Sequence, residues 1–387
     1  MNAKELLSAI QISGNHVTDN RSNLQTYVYL KNKHGNQKSF INYDYLIKNL
    51  QKTSDRLPTN YQNSHFYNII VDSFDVLKET INNETIYFKG ENIEVKPLPL
   101  YGTASLKGYN AFIRTDDEPV IVFNDDLLML TDKLIEIYTK THWLANKNLL
   151  DDKYLDLLTR NFIDVMYCFY STSDAYNAIP LDWCEIENFD DLASADKIYE
   201  TSFEFENLFV NDNYLSFFNQ FTESTYLWMA AHEYSHLVLG HLNNEKNLSK
   251  SLLNNEIEVE KYSFEWQEEY DADLLGAIIT MESKSSFYLS TSIYFAMNCI
   301  RLGDPYNSES TSSNHPPINL RIKNVFDYFD SNYKYYLGNN KNIDAVLNPM
   351  IKKFIKFVND IKTCDLHFSE LFEIQRYIYK YYNFNSQ

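Results

Sequence analysis

The sequence predicts a mainly helical α+β fold, with a small sheet packed on a long apolar helix. Three observations predict it. Apolar residues at helical spacing dominate from about residue 224 onward. β-branched and aromatic runs bounded by Asp and Asn fall between about 65 and 124. Only 9 Gly and 9 Pro occur in 387 residues, which argues against long flexible linkers, and the hydrophobic fraction of 44% is that of a folding globular chain. At ~150 residues per domain, this length suits two or three units, or one large helical domain with an appendage.

In chain order, residues 1–60 are polar and mixed, with one short helical pattern at 43–50. The runs at 65–71 and 120–123 read as strands. Residues 127–143 read as a helix, with Leu127, Leu130, Leu134, Ile137 and Tyr138 at helical spacing, and 154–170 reads as another. Residues 172–222 are acidic and irregular, and suit an insertion over a cleft. Helices follow at 224–242, 257–282, 286–302, 317–329, 345–361 and 368–382. Pro316-Pro317 suits a helix start, where a missing N–H costs little. This reading divides the chain into an N-terminal region of unassigned role (1–104), a central domain (105–330) with an insertion at 143–222, and C-terminal helices (331–387).

With 34 Lys and Arg against 53 Asp and Glu, the net charge is −19. That field repels nucleic-acid backbones and anionic membranes and favours solubility or a basic protein partner. Cys168, Cys184, Cys299 and Cys364 are far apart and form no CxxC pair, so neither a disulfide framework nor a thiolate metal site is expected. Free thiols suit a reducing cytoplasm. The chain shows no signal-peptide pattern after Met1, and its most apolar stretches, 227–242 and 287–300, are short and broken by polar residues. The expectation is a cytoplasmic protein without a membrane span.

The chemistry concentrates in His232-Glu233-Tyr234-Ser235-His236. Two histidines four apart share one face of a helix, one turn apart, and can grip one metal ion. Zinc accepts neutral imidazole nitrogens in tetrahedral geometry. Glu233 follows the first histidine and can take a proton from a water activated by the metal, then pass it to a leaving amine. Apolar flanks (Leu227, Trp228, Met229, Ala230 and Ala231 before, Leu237, Val238 and Leu239 after) argue for a buried helix over a solvent-facing one carrying two satisfied histidines. Gly240 is a natural helix end.

A catalytic zinc needs a third protein ligand. Glu269, in Glu269-Tyr270-Asp271-Ala272-Asp273, is the best candidate. Asp273 lies one turn later on the same face and can accept a hydrogen bond from the far nitrogen of a ligating histidine. Glu268 and Asp271 read as a solvated acidic face. His241 is the rival ligand, but in a continuing helix five residues past His236 rotate it by ~140°. It reads as a helix-end histidine that caps carbonyls or packs. Finally, His315 before Pro316-Pro317 is held at the mouth of a helix, where it can donate to an oxyanion or reach the metal. Arg321 can pair with an acid or anchor the loop. An ordinary loop-to-helix junction would carry the same residues.

Together these pieces resemble the gluzincin metallopeptidases of the M48 type, the group holding the CAAX prenyl endopeptidases and HtpX-like proteases. HEYSH (232–236), EYDAD (269–273) and HPPINLRI (315–322) stand in that family's order; Asn110-Ala111-Phe112, followed by Val120–Asn124 and Leu127-Leu128, is a fainter echo of the segment that in the family leads into the active-site edge strand. The resemblance covers roughly residues 105–330. It implies a zincin-like fold, one Zn2+ per chain held by His232, His236 and Glu269, and Glu233 as catalytic base. It implies Asp273 behind the ligands, and His315 and Arg321 as cleft residues. Many members of that family are membrane-embedded or secreted, which this chain does not suggest, and 143–222 is long for it. Phage-exclusion-type zinc proteases share the zinc motif alone. The expected activity is endopeptidase cleavage of a protein or peptide substrate, paired as an extended strand along an edge near 120–124. The alternative is a catalytically weak or latent protein on the same fold, acting as a binding or regulatory factor in phage exclusion or stress.

Overall fold

The computed structural model describes residues 1–13, 57–59, 61–62, 64–82, 85–106, 111–151, 154, 157–158, 161–162, 205, 207–243, 256–283, 289–303 and 316–332. The helical patterns read at 43–50, 345–361 and 368–382, most of 154–170, His315, and Cys168, Cys184 and Cys364 lie outside those residues.

Helix α1 (Ala3–Ser13) opens with a reciprocal cap: Glu5 N donates to Asn2 Oδ1 at 2.9 Å, and Asn2 N donates to Glu5 Oε2 at 3.2 Å. Helix α2 (Ser64–Thr80) replaces the strand read at 65–71. Tyr67, Ile70, Phe74, Leu77 and Ile81 are all buried, and their spacing of three and four becomes visible only across the full seventeen residues. A seven-residue window holding Phe66, Tyr67, Ile69, Ile70 and Val71, taken alone, mimics a strand.

Strands β1 (Thr85–Phe88) and β2 (Glu91–Glu94) form a hairpin across Lys89-Gly90. Strands β3 (Leu100–Ala104), β4 (Ala111–Thr115) and β5 (Pro119–Asn124) form a second sheet in the order β3-β5-β4, parallel on one side of β5 and antiparallel on the other. The run at 120–123 is therefore a strand, but the central one. Its main-chain groups are already paired on both sides, so it cannot receive a substrate strand. Val120, Ile121, Val122 and Phe123 are fully buried, as expected of a strand covered on both faces. Val120 and Val122 join Ala3 and Leu7 of α1 on one face. From the other face, Phe123 meets Phe74 edge-on at 5.9 Å, and Phe74 stacks on Tyr101. The sheet thus sits between α1 and α2. Gln11 adds polar pinning, donating to Thr103 O at 2.8 Å and to Gln62 Oε1 at 3.0 Å.

Helix α3 (Asp125–Asn146) starts where Asp126 N donates to Asn124 Oδ1, with Asp125 and Asp126 favouring its N-terminus. Next come α4 (Asp212–Val238), α5 (Glu256–Glu282), α6 (Leu289–Gly303) and α7 (Ile318–Asn332). The chain divides into two compact units. The first is 1–132 with 219–340. It contains β3 in the same sheet as β4 and β5, so the sheet straddles the division drawn at 104/105. It also contains α5 packed on α6, α7 and α2. Within it, α4 is buried all round from Ser224 to Ser235, with an apolar run at Leu227–Ala231 and polar His232, Glu233 and Ser235 enclosed beside it. Tyr226 OH donates to Leu128 O at 3.1 Å and Ser73 Oγ to Glu223 O at 3.1 Å, fixing α4 to α3 and α2.

The second unit is 133–218 with 341–387. Its described part is an aromatic cluster in which Tyr214 meets Phe209 at 4.9 Å and Trp143 at 5.7 Å. Buried Lys140 lies over the Phe205 and Phe209 rings and donates to Glu136 Oε1 at 2.8 Å. No helix among the described residues is long and apolar enough to cross a membrane. Cys299 is buried and free.

Candidate metal centre

Helix α4 carries His232 and His236 one turn apart and turns both Nε2 atoms toward each other, 3.3 Å apart. Trp228, one turn earlier, backs the His232 ring at 5.7 Å. Helix α5 brings Glu269 to the same point. Its Oε2 lies 3.7 Å from His232 Nε2 and its Oε1 3.6 Å from His236 Nε2. These three residues offer ligand atoms that all lie within 4.8 Å of one another. Ligand bonds of ~2.0–2.1 Å at tetrahedral angles put donors ~3.3–3.4 Å apart. The separations here, 3.3, 3.6 and 3.7 Å, come close to that spacing, so two imidazoles and a carboxylate fit one small divalent ion. The side chains of His232, His236 and Glu269 are 10%, 14% and 10% exposed, shielded but reachable.

The close crossing of α4 and α5 depends on Gly276. A Cβ there would sit 2.9 Å from His232 N and 3.0 Å from His232 Cα. Only a residue without a side chain lets the two backbones approach this closely, which brings the α5 carboxylates within reach of the α4 imidazoles.

Behind the donors runs a chain of buried charge. His232 Nδ1 lies 3.0 Å from Asp273 Oδ1, short but not aligned as a linear hydrogen bond. Arg321, from α7, donates through Nε and Nη2 to both Asp273 oxygens at 2.7 Å each, and its Nη2 lies 3.2 Å from Glu269 Oε2. Burial works against the charge on Asp273, but Arg321 outweighs it and holds the carboxyl below its usual range. Burial likewise disfavours the Arg321 charge, and Asp273 and Glu269 overcome it, raising the guanidinium above its ordinary value. For His232, burial favours the neutral ring, but the Asp273, Glu269 and Glu233 carboxylates together raise its pKa. Among the described residues no carboxylate stands at His236 Nδ1, and burial pushes its ring down to about 3. Glu233 is buried, and its carboxylate acts electrostatically on both His232 and Arg321.

Helix α4 ends at Val238, and Gly240 takes a left-handed φ of 77°. The chain therefore turns back instead of continuing the helical rotation. His241 opens a short 3-10 turn, and its Nδ1 stands 2.9 Å from His236 Nδ1. It is neither a carbonyl cap nor mere packing, as the uninterrupted-helix geometry suggested; it faces the ring of a candidate ligand. Burial lowers His241 to about 4.

One further tether holds the site helix. Tyr234 OH donates to Lys96 O and accepts from Lys96 N at 3.0 Å, while Lys96 Nζ donates to Leu237 O at the helix end. Burial pushes the Tyr234 phenol up to about 12, so it stays a donor. Asp271 pairs with Lys89 and accepts from Gln267, away from the donor set.

The structure thus brings His232, Glu233, His236, Glu269, Asp273 and Arg321 together, with His315 outside the described residues. Sequence reasoning misplaced His241 and missed Gly276 and the Tyr234–Lys96 tether. An isolated glycine inside a helical pattern was a readable signal for Gly276. Nothing local could have announced Lys96, 138 residues away in sequence.

A family model described as Peptidase U49 matches residues 194–339, less than half of the chain. No curated protein and no solved structure matches the chain. The matched stretch includes α4, α5 and α7, and with them every candidate site residue from His232 to Arg321. Over the stretch that carries the site, the chain is therefore similar to a peptidase family of unclassified catalytic type.

Proposed function

We propose that this chain is a zinc-dependent endopeptidase of gluzincin type, with His232, His236 and Glu269 holding one zinc ion. The carrying observation is the donor set: two Nε2 atoms and a carboxylate spaced at 3.3, 3.6 and 3.7 Å, close to a tetrahedral edge. The likeness to a peptidase family over this stretch supports the choice of peptide hydrolysis. When bound, zinc supplies Lewis acidity toward a peptide carbonyl and toward water. In this reading Glu233, buried beside the donors, accepts a proton from the attacking water on a carboxylate oxygen. The water oxygen bonds to the peptide carbonyl carbon as that proton leaves; Glu233 then gives the proton to the amide nitrogen, the C–N bond breaks, and the products are a carboxylate and a free amine. Asp273 stands against His232 Nδ1, and Arg321 holds the Asp273 carboxyl charged while lying 3.2 Å from Glu269 Oε2.

Metal content and activity test this on the full chain. Zinc should bind one per chain and fall sharply in Glu269→Ala. Glu233→Gln should keep the zinc while cleavage of an unstructured protein drops by ~10²–10⁴-fold. Equal zinc in Glu269→Ala removes the third ligand, and undiminished cleavage by Glu233→Gln removes the mechanism.

A further inference from the structure

His236 has two ring nitrogens, and they face different things. Its Nε2 looks into the donor set, 3.3 Å from His232 Nε2. Its Nδ1 looks the other way, 2.9 Å from His241 Nδ1. A neutral imidazole that offers a lone pair at Nε2 carries its proton at Nδ1. A buried N–H of that kind needs an acceptor, and a second imidazole at 2.9 Å is one if its own proton sits on Nε2.

We propose that His241 is a positioning residue for the metal centre. Its Nδ1 accepts the hydrogen bond from His236 Nδ1–H, which selects the His236 tautomer that leaves Nε2 free for the metal. This rests on the metal reading of His236. The fold supplies the geometry: α4 stops at Val238, Gly240 reverses the chain at φ 77°, and His241 is swung back over the end of its own helix. The two ligand imidazoles are consequently backed by different partners. His232 has an arginine-paired carboxylate at its Nδ1, and His236 has a neutral ring. Removing His241 leaves His236 able to place its proton on Nε2, where it competes with the metal.

The test is zinc affinity of the full chain, measured by competition with a chromophoric chelator. His241→Leu removes the acceptor, whereas His241→Asn restores a carbonyl oxygen near the Nδ1 position. His241→Leu should bind zinc ~10–100-fold more weakly, the usual effect of losing such a partner. His241→Asn should recover most of that loss. Nitrogen-15 NMR of the metal-free chain gives a second readout, independent of zinc: His236 should be protonated at Nδ1 in the wild type and shift toward Nε2 in His241→Leu. Wild-type affinity in His241→Leu, no recovery in His241→Asn, or an unchanged tautomer would each overturn the proposal. His236→Ala separates the layers. If that variant keeps its zinc, or if the wild type binds none, the metal reading fails and takes this inference with it. If His236→Ala loses zinc while His241→Leu does not, the metal reading stands and the role of His241 falls alone.

Discussion

Two regions of the first unit are held together by different physics. Around the β3-β5-β4 sheet, α1 and α2 meet a slab of Val120, Ile121, Val122 and Phe123, with neutral amides and hydroxyls such as Gln11 and Thr103 pinning the layers. Around the donor set, α4, α5 and α7 meet through histidine, aspartate, glutamate and arginine, nearly all buried. The sheet region is cohesive because apolar area leaves water, a term that is non-directional and forgiving of small changes. The site region is cohesive because Asp273, Glu269 and Arg321 are paired with one another, so removing Arg321 strands buried carboxylates. The sheet therefore serves as scaffold, and the candidate metal centre is the part held by paired buried charges.

The strongest challenge to that contrast is Arg321→Met, which keeps volume but leaves Asp273 and Glu269 buried without their cation. The expected cost is ~3–5 kcal/mol, read by denaturant unfolding of the metal-free chain. Added zinc should restore part of it, since a divalent ion neutralises the same carboxylates. A loss below 1 kcal/mol would mean that Arg321 is dispensable and the charged chain is decoration.

Gly276→Ala probes the crossing itself. The new methyl meets the backbone of His232, which cannot swing aside like a side-chain tip. Overpacking of ~1–3 kcal/mol is offset by ~1 kcal/mol of better helix propensity, so net stability should fall by up to ~2 kcal/mol. The sharper readout is zinc affinity, which should weaken because α5 also carries Glu269 and Asp273. Unchanged affinity with a stabilised fold would show that α4 and α5 can separate without disturbing the donors.

The smallest effect should come from Ile121→Val at the centre of the sheet. One methylene leaves a fully buried site, costing ~0.5–1.5 kcal/mol, with zinc binding unaffected. Zinc affinity that drops along with this stability would contradict the division between scaffold and site.

Much of the site was legible because its spacing is local. His232 with His236 and Glu269 with Asp273 are each four apart, and a helix puts such pairs on one face whatever the rest of the chain does. The α2 misreading has the opposite cause. A seven-residue window holds aromatic and β-branched residues that suit either element, and only the longer register of Tyr67, Ile70, Phe74 and Leu77 separates them. The central position of β5 was not readable either, because strand order is settled by pairing between residues far apart in sequence. His241 was misplaced by an argument that was sound for a continuous helix and failed at Gly240.

The sequence by itself determined the chemistry of the donors: which side chains can bind a metal, and that two pairs of them share helical faces. Periodicity carries that information because backbone geometry is the same in every helix. The tertiary structure decided who stands behind each donor. Arg321 settles on Asp273 and Glu269, His241 turns back to His236, and Gly276 permits the approach of α5 to α4. Those outcomes depend on where one element stops and how closely two cross. The glycines Gly240 and Gly276 leave a local mark, but which side chain each brings into contact is set by the turn and the crossing themselves, and no local spacing encodes that.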